Sequence, residues 1–252
     1  MEPRYLRNRI YLDNSKQEIV RRKKVIIGGV GLGSVIAECA LRFGFENLTI
    51  IDGDKVEISN LNRQNYNNTD IGKYKVEALT ERLKSINPRA EITSMCLYIN
   101  KENVKKIVNN YDIAINALDF SSDTPFLFDD LCQKKGIPIL HPYNFGWAGY
   151  VTVINPQGPN LRFLSKEYEQ FELKVVNYVT QYSRFWGNSK QWLEDIKKKY
   201  TEEKGILPPP QLSIASWIVA GYCVNIMYNL SIGKEIKYFP KFYMSSTICD
   251  NN

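Results

Sequence analysis

From residue 23 to residue 156, short β-branched runs alternate with longer amphipathic stretches, the pattern of strands and crossover helices in a parallel sheet. The first run, Lys24-Val25-Ile26-Ile27, leads directly into Gly28-Gly29-Val30-Gly31-Leu32-Gly33. A helix is predicted over residues 34–43, stopped at Gly44. Residues 48–51 predict a second strand, closing on Asp52-Gly53-Asp54. Further helices are predicted over 73–86, ended by Asn87-Pro88, and over 102–108 and 123–135. Strands are predicted over 92–97 and 111–117, over 137–141 with a break at Pro138, and over 150–154 after a turn at Gly146 and Gly149.

Beyond Pro156 the pattern changes. Residues 157–210 mix charges with aromatics (Tyr168, Phe171, Tyr178, Tyr182, Phe185, Trp186, Trp192) and carry Pro208-Pro209-Pro210. They read as a long crossover with helices over 166–182 and 190–204, whose aromatics serve either a docking surface or packing on the sheet. An apolar helix over about 211–230 and a strand-like tail over 236–248 follow. The segment 212–230 is interrupted by Ser213, Ser216, Gly221, Asn225 and Asn229, so a buried or interface helix is expected in place of a membrane span. The chain thus divides into an N-terminal segment (1–22), a nucleotide-binding α/β unit (23–156), a crossover segment (157–210) and a C-terminal helix and tail (211–252).

Composition narrows the class. At 44% hydrophobic and 24% charged, the 252 residues exclude a disordered or fibrous chain. An aromatic share of 12%, with 16 Tyr, suits a packed core or a large interface. The net charge of +6 suits a nucleotide or an acidic protein partner, and is too weak and interspersed to argue for nucleic acid. Cys39, Cys96, Cys132, Cys223 and Cys249 include no C-x-x-C pair, so no structural zinc is expected. Their odd number and irregular spacing favour a reducing cytoplasm, and the polar N-terminus lacks the apolar core of a signal peptide.

The chemistry concentrates at the ends of the early strands. A glycine turn between strand and helix lets a phosphate meet backbone N–H groups at a helix N-terminus, and Asp52 stands where an acid accepts from ribose hydroxyls. In a strict G-x-G-x-x-G register Val30 occupies the third position, where a Cβ is expected to crowd a dinucleotide pyrophosphate; this argues against an ordinary NAD enzyme. The loop from Asp52 to Gln64, with Asp54, Asn60 and Arg63, then Lys75 and Asp119, collects acids, amides and cations on one rim of the sheet. Cations for phosphate oxygens and a carboxylate for Mg²⁺ are the inventory of a phosphate-transfer site. The expected architecture is therefore α/β: a Rossmann-like, doubly wound, mostly parallel sheet with a C-terminal crossover segment and helix. His141, the sole histidine, is expected at the sheet's ligand edge; a structural role fits it better than substrate contact, since an ionised carboxylate needs no general base.

The glycine turn, Asp52-Gly53-Asp54, Ser59-Asn60-Leu61-Asn62-Arg63-Gln64, Gly72-Lys73-Tyr74-Lys75, Ile86-Asn87-Pro88 and Asn116-Ala117-Leu118-Asp119 resemble, in order and spacing, the ThiF/MoeB/HesA family over about residues 4–155. Arg4-Tyr5-Leu6-Arg7-Asn8 resembles that family's N-terminal arginine segment. The resemblance implies ATP-dependent adenylylation of a carboxylate, usually the C-terminal glycine of a small ubiquitin-like protein or a peptide, by a homodimer. It implies that Asp52 holds the ribose and that Arg63 and Lys75 bind the phosphates. Gly28, Gly29, Gly31, Gly33, Asp54, Asn60, Gln64 and Leu118 then belong to the nucleotide site. Asp119 coordinates Mg²⁺, and Arg7 acts on the other subunit's site. Unlike many relatives the chain has no C-x-x-C pairs, and no cysteine lies between Cys132 and Cys223, so the resemblance implies no zinc and no thioester step. Gly146-Trp147-Ala148-Gly149 is expected to let a peptide tail lie against backbone, so that Gly149→Val blocks the acceptor while sparing ATP. A tRNA threonylcarbamoyl-adenosine dehydratase and a non-catalytic nucleotide-binding subunit are the alternatives.

Overall fold

A computed structural model describes residues 2–203 and 207–248. Cys249 and the predicted helix end at Lys204 lie outside them. One seven-stranded sheet runs in the order β3-β2-β1-β4-β5-β6-β7. The strands are β1 (Lys24–Gly28), β2 (Asn47–Ile51), β3 (Glu91–Met95), β4 (Ile113–Asn116), β5 (Ile139–Asn144), β6 (Ala148–Ile154) and β7 (Phe242–Ser246). The first five are parallel, while β6 runs antiparallel to both neighbours.

The helices are α1 (Asn14–Arg22), α2 (Leu32–Phe43), α3 (Lys75–Ile86), α4 (Val104–Ile107), α5 (Thr124–Lys134), α6 (Phe171–Phe185), α7 (Gln191–Glu202) and α8 (Ser213–Ser231). They cover both faces because β1 is apolar on both: Val25 and Ile27 join a core with α2, α3 and α8, whereas Ile26 joins one with α4, α5 and α6. The apolar α8 packs on α2 and β6, and among the described residues no helix is long and apolar enough to cross a membrane.

Several expectations need correction. Pro138 precedes β5 and does not break it; the strand continues through His141 and Pro142 to Asn144. The helix expected over 102–108 is the single turn α4. The segment 1–22 carries a 3-10 helix (Pro3–Asn8) and α1, which has few apolar positions to announce it but is capped by Asp13, whose carboxylate accepts from the Lys16 amide. Val30 is fully buried in the core. Gly149 faces α8: a Cβ there would lie 2.7 Å from the Ile218 side chain, so this glycine closes helix onto sheet and does not bare backbone for a peptide. Of the aromatics in 157–210, Phe171 is buried and Tyr178 and Tyr182 pack on Phe242, whereas Phe185 and Trp186 stand exposed.

Candidate nucleotide site

The chain order reverses at β1, which lies between β2 and β4, and open α/β sheets bind ligands at such a switch point. The carboxyl ends of these strands are stitched together by Gly29 N–H to Ile51 O at 2.9 Å and Ala117 N–H to Gly28 O at 2.8 Å. Gly29 has φ +82°, and a Cβ there would lie 2.3 Å from the Ala117 carbonyl oxygen, so only glycine fits. Gly33 closes α2 onto Ile27, Gly28 faces Leu118 and Ile99, and Gly31 faces the Gln64 side chain. Gln64 Oε1 is buried with no hydrogen-bond partner among the described residues. α2 begins at Leu32, directly after this turn, with the Ser34 N–H already bonded to the Gly31 carbonyl at 3.2 Å.

Asp52 braces this turn. Its Oδ2 accepts from the Val30 amide and its Oδ1 from the Asp54 amide, both at 2.8 Å. Burial lifts its carboxyl above the ordinary range, against the pull of Lys75 and those amides. Asp54 accepts from Lys75 Nζ at 3.0 Å and from the Tyr98 hydroxyl at 2.8 Å. Burial pushes Asp54 up, but these two bonds and the lysine charge outweigh it and hold it low. Asn60 caps its turn by accepting from the Glu57 amide at 3.0 Å, shaping the loop that carries Arg63.

Arg63 is half-buried and fixed on three sides. Its Nε donates to Gln211 Oε1 at 2.5 Å, and its Nη1 to Ser59 O and Asn62 Oδ1, each at 2.8 Å. Burial lowers its pKa and the charge of Asp119 opposes that. Asp119 lies past β4 with its surface open to solvent although protein crowds around it. That crowding raises its pKa, as do Asp52 and Asp54, while Lys75 and Arg63 pull it down. Arg63, Lys75, Asp119, Asp52 and Asp54 therefore share one electrostatic neighbourhood.

Two supports were not anticipated. Gln211 holds Arg63 from 148 residues away, with no local pattern to reveal it. Phe171, at the start of α6, stacks on Phe120 at 4.3 Å and meets Phe126 edge-on at 5.1 Å, which sets Glu172 beside Asp119. Burial first, then the Asp119 charge, raises the Glu172 carboxyl. His141 is 1% exposed and meets Asp129 at 2.8 Å; Asp129 in turn accepts from Asn116, so the histidine buttresses the loop leading to Asp119 and has a structural role. Arg7 is exposed and has no polar partner among the described residues.

The donor set suits Mg²⁺, which takes one or two carboxylates together with phosphate oxygens and water. Among the described residues no group of three or more His, Cys, Asp or Glu is gathered to cage a metal.

Residues 5–251 match the sequence profile of the ThiF family. This chain belongs to that family. Within it, the chain is 30% identical over 150 residues to the SAMP-activating enzyme E1 of Haloferax volcanii, covering 59% of this chain and 55% of the relative. It is 31% identical over 162 residues to the sulfur carrier protein ThiS adenylyltransferase of Bacillus subtilis, covering 62% and 48%. The matched part thus spans about half the length of these ThiF-family relatives. The crystal structure of E. coli MccB with ATP superposes with a TM-score of 0.70 over 98% of this chain and 71% of that one, at 18% identity, and so shares the Rossmann-like fold.

Proposed function

We propose that the protein is an ATP-dependent adenylyltransferase that activates the C-terminal carboxylate of a small ubiquitin-like protein or a peptide. The observation that carries this is the meeting of Arg63, Lys75 and Asp119 in one field beside the glycine turn and Asp52. A carboxylate approaching the α-phosphorus is repelled by polyphosphate, so cations must gather at the reacting centre before the bond forms. The acceptor oxygen bonds to the α-phosphorus, the bond from it to the bridging oxygen of the β-phosphate breaks, and pyrophosphate leaves with that electron pair. Arg63 and Lys75 bind the phosphates and Asp52 orients the ribose. Asp119 would hold Mg²⁺, which supplies charge neutralisation when bound.

Names among the relatives support the chemistry, since the B. subtilis protein is named an adenylyltransferase of a sulfur carrier protein. Cys132 and Cys223 are buried, and burial raises both thiols well above their ordinary range, so neither suits a thioester nucleophile, which favours an adenylate passed to an outside nucleophile. Arg7, exposed and without a polar partner among the described residues, suits action across a homodimer.

The test is ATP–pyrophosphate exchange with candidate acceptors. Exchange is expected only with an acceptor bearing a free C-terminal carboxylate, and Asp119→Ala is expected to lower it by about 10²-fold or more. Acceptor-independent exchange, or an Asp119→Ala protein of full activity, overturns the assignment; ATP hydrolysis that depends on tRNA points to a dehydratase.

A further inference from the structure

The rim of the cleft holds a tyrosine that none of the motifs accounts for. Tyr98 lies just past β3 and is 67% exposed, yet its position is tightly determined. Its ring sits over Gly53: a Cβ at that glycine would come within 2.8 Å of three ring atoms, so the middle residue of Asp52-Gly53-Asp54 must be glycine for the ring to rest there. The Tyr98 carbonyl accepts from Asn103 Nδ2 at 2.9 Å, which fixes the backbone behind the ring. Its hydroxyl donates to Asp54 Oδ1 at 2.8 Å, and the other oxygen of that carboxylate, Oδ2, accepts from Lys75 Nζ at 3.0 Å. The lysine side chain is only 9% exposed, against 44% for Asp54.

One buried ammonium thus has a bonded acid and a second acid within reach of its charge. Asp54 holds Lys75 now, and Asp119 is near enough for the lysine charge to act on it. The Asp54 side chain is itself partly open to solvent, so it would be free to turn toward water if nothing retained it. Among the described residues, the other bonds at Asp54 are on its backbone, where its N–H donates to Asp52 Oδ1 and its carbonyl accepts from the Lys75 amide, and these leave the side-chain rotamer free.

We propose that Tyr98 is a positioning residue of the nucleotide site, whose hydroxyl locks Asp54 in the rotamer that holds Lys75 and so keeps the ammonium off Asp119, leaving that carboxylate free for the cation that accompanies a nucleoside triphosphate. The ligand named here rests on the adenylation assignment; the lock itself does not.

Tyr98→Phe keeps the ring on Gly53 and removes only the hydroxyl, so it tests the lock directly. Two measurements separate the lock from the assignment. Equilibrium binding of ATP is titrated against Mg²⁺: the Mg²⁺ concentration for half-maximal binding is expected to rise about tenfold, the effect of losing one charge-assisted hydrogen bond, with ATP affinity at saturating Mg²⁺ changed less than about twofold. Acetylation of Lys75 by acetic anhydride, followed by mass spectrometry on nucleotide-free protein, is expected to speed up about threefold as the ammonium becomes mobile. Gly53→Ala, which displaces the ring, is expected to copy both effects. An unchanged labelling rate in Tyr98→Phe overturns the proposal, as does an unchanged Mg²⁺ requirement in Tyr98→Phe when the wild type binds ATP. A wild type that binds no ATP overturns the adenylation assignment, and the labelling rate still decides the lock.

Discussion

At the scale of single residues, Asp119 is held in a condition the empty protein would be more stable without. Crowding by protein raises its pKa first, and the charges of Asp52 and Asp54 add to that against Lys75 and Arg63. An acid whose folded-state pKa lies above its unfolded value stabilises the fold at low pH and loses that contribution as pH rises through the folded value. At neutral pH the ionised Asp119 is thus a burden on folding. Asp119→Asn is expected to raise the Tm of nucleotide-free protein at pH 7, with the gain over wild type shrinking as the pH falls and Asp119 takes up its proton. Thermal melts across that range check the sign; a Tm that falls at pH 7 contradicts it. The motif residues Asp52, Arg63, Lys75 and Asp119 were legible because their chemistry is local to strand ends that hydrophobic patterning had already marked. Tyr98 and Gln211 were not, because they reach the site through neighbours in space: the end of β3 beside the end of β2, and a segment far along the chain.

Among the elements, strand–turn–helix order was legible wherever apolar runs are strong, as in β1, α2 and β2. It failed where they are weak, as in the polar α1, or where a proline suggests a break within a strand, as Pro138 does before β5. The α8–β6 contact shows how one small residue settles the position of a whole element. The Ile218 side chain occupies the space where Gly149 lacks a Cβ, and α8 also receives Asn144, whose Nδ2 donates to the Leu212 carbonyl at 2.8 Å and to Ser216 Oγ at 3.0 Å. Gly149→Val is therefore expected to lever α8 off the sheet and to destabilise the protein by about 1–3 kcal/mol through overpacking. Denaturant unfolding measures this. A variant of native stability that has lost only its response to the acceptor would instead restore the peptide-binding role this glycine was first expected to have.

For the whole molecule, the N-terminal 3-10 helix is anchored by Tyr5, buried with its hydroxyl donating to Glu46 at 2.8 Å, while Arg7 on the same turn points away from the protein. If Arg7 serves a neighbouring subunit, Arg7→Ala and Asp119→Ala proteins are each nearly inactive, but mixing them recovers about a quarter of wild-type exchange through hybrid dimers with one intact site. No recovery after subunit exchange, itself confirmed by mass spectrometry, places the arginine's action elsewhere. Gln211 has a consequence on another timescale. The glycine turn, Asp52, Lys75 and Asp119 all leave the ribosome well before this glutamine, whose Oε1 fixes the Arg63 guanidinium. A nascent or truncated chain that stops short of Gln211 thus displays every recognisable motif while the Arg63 guanidinium keeps only its local contacts to Ser59 and Asn62 and lacks its Nε partner.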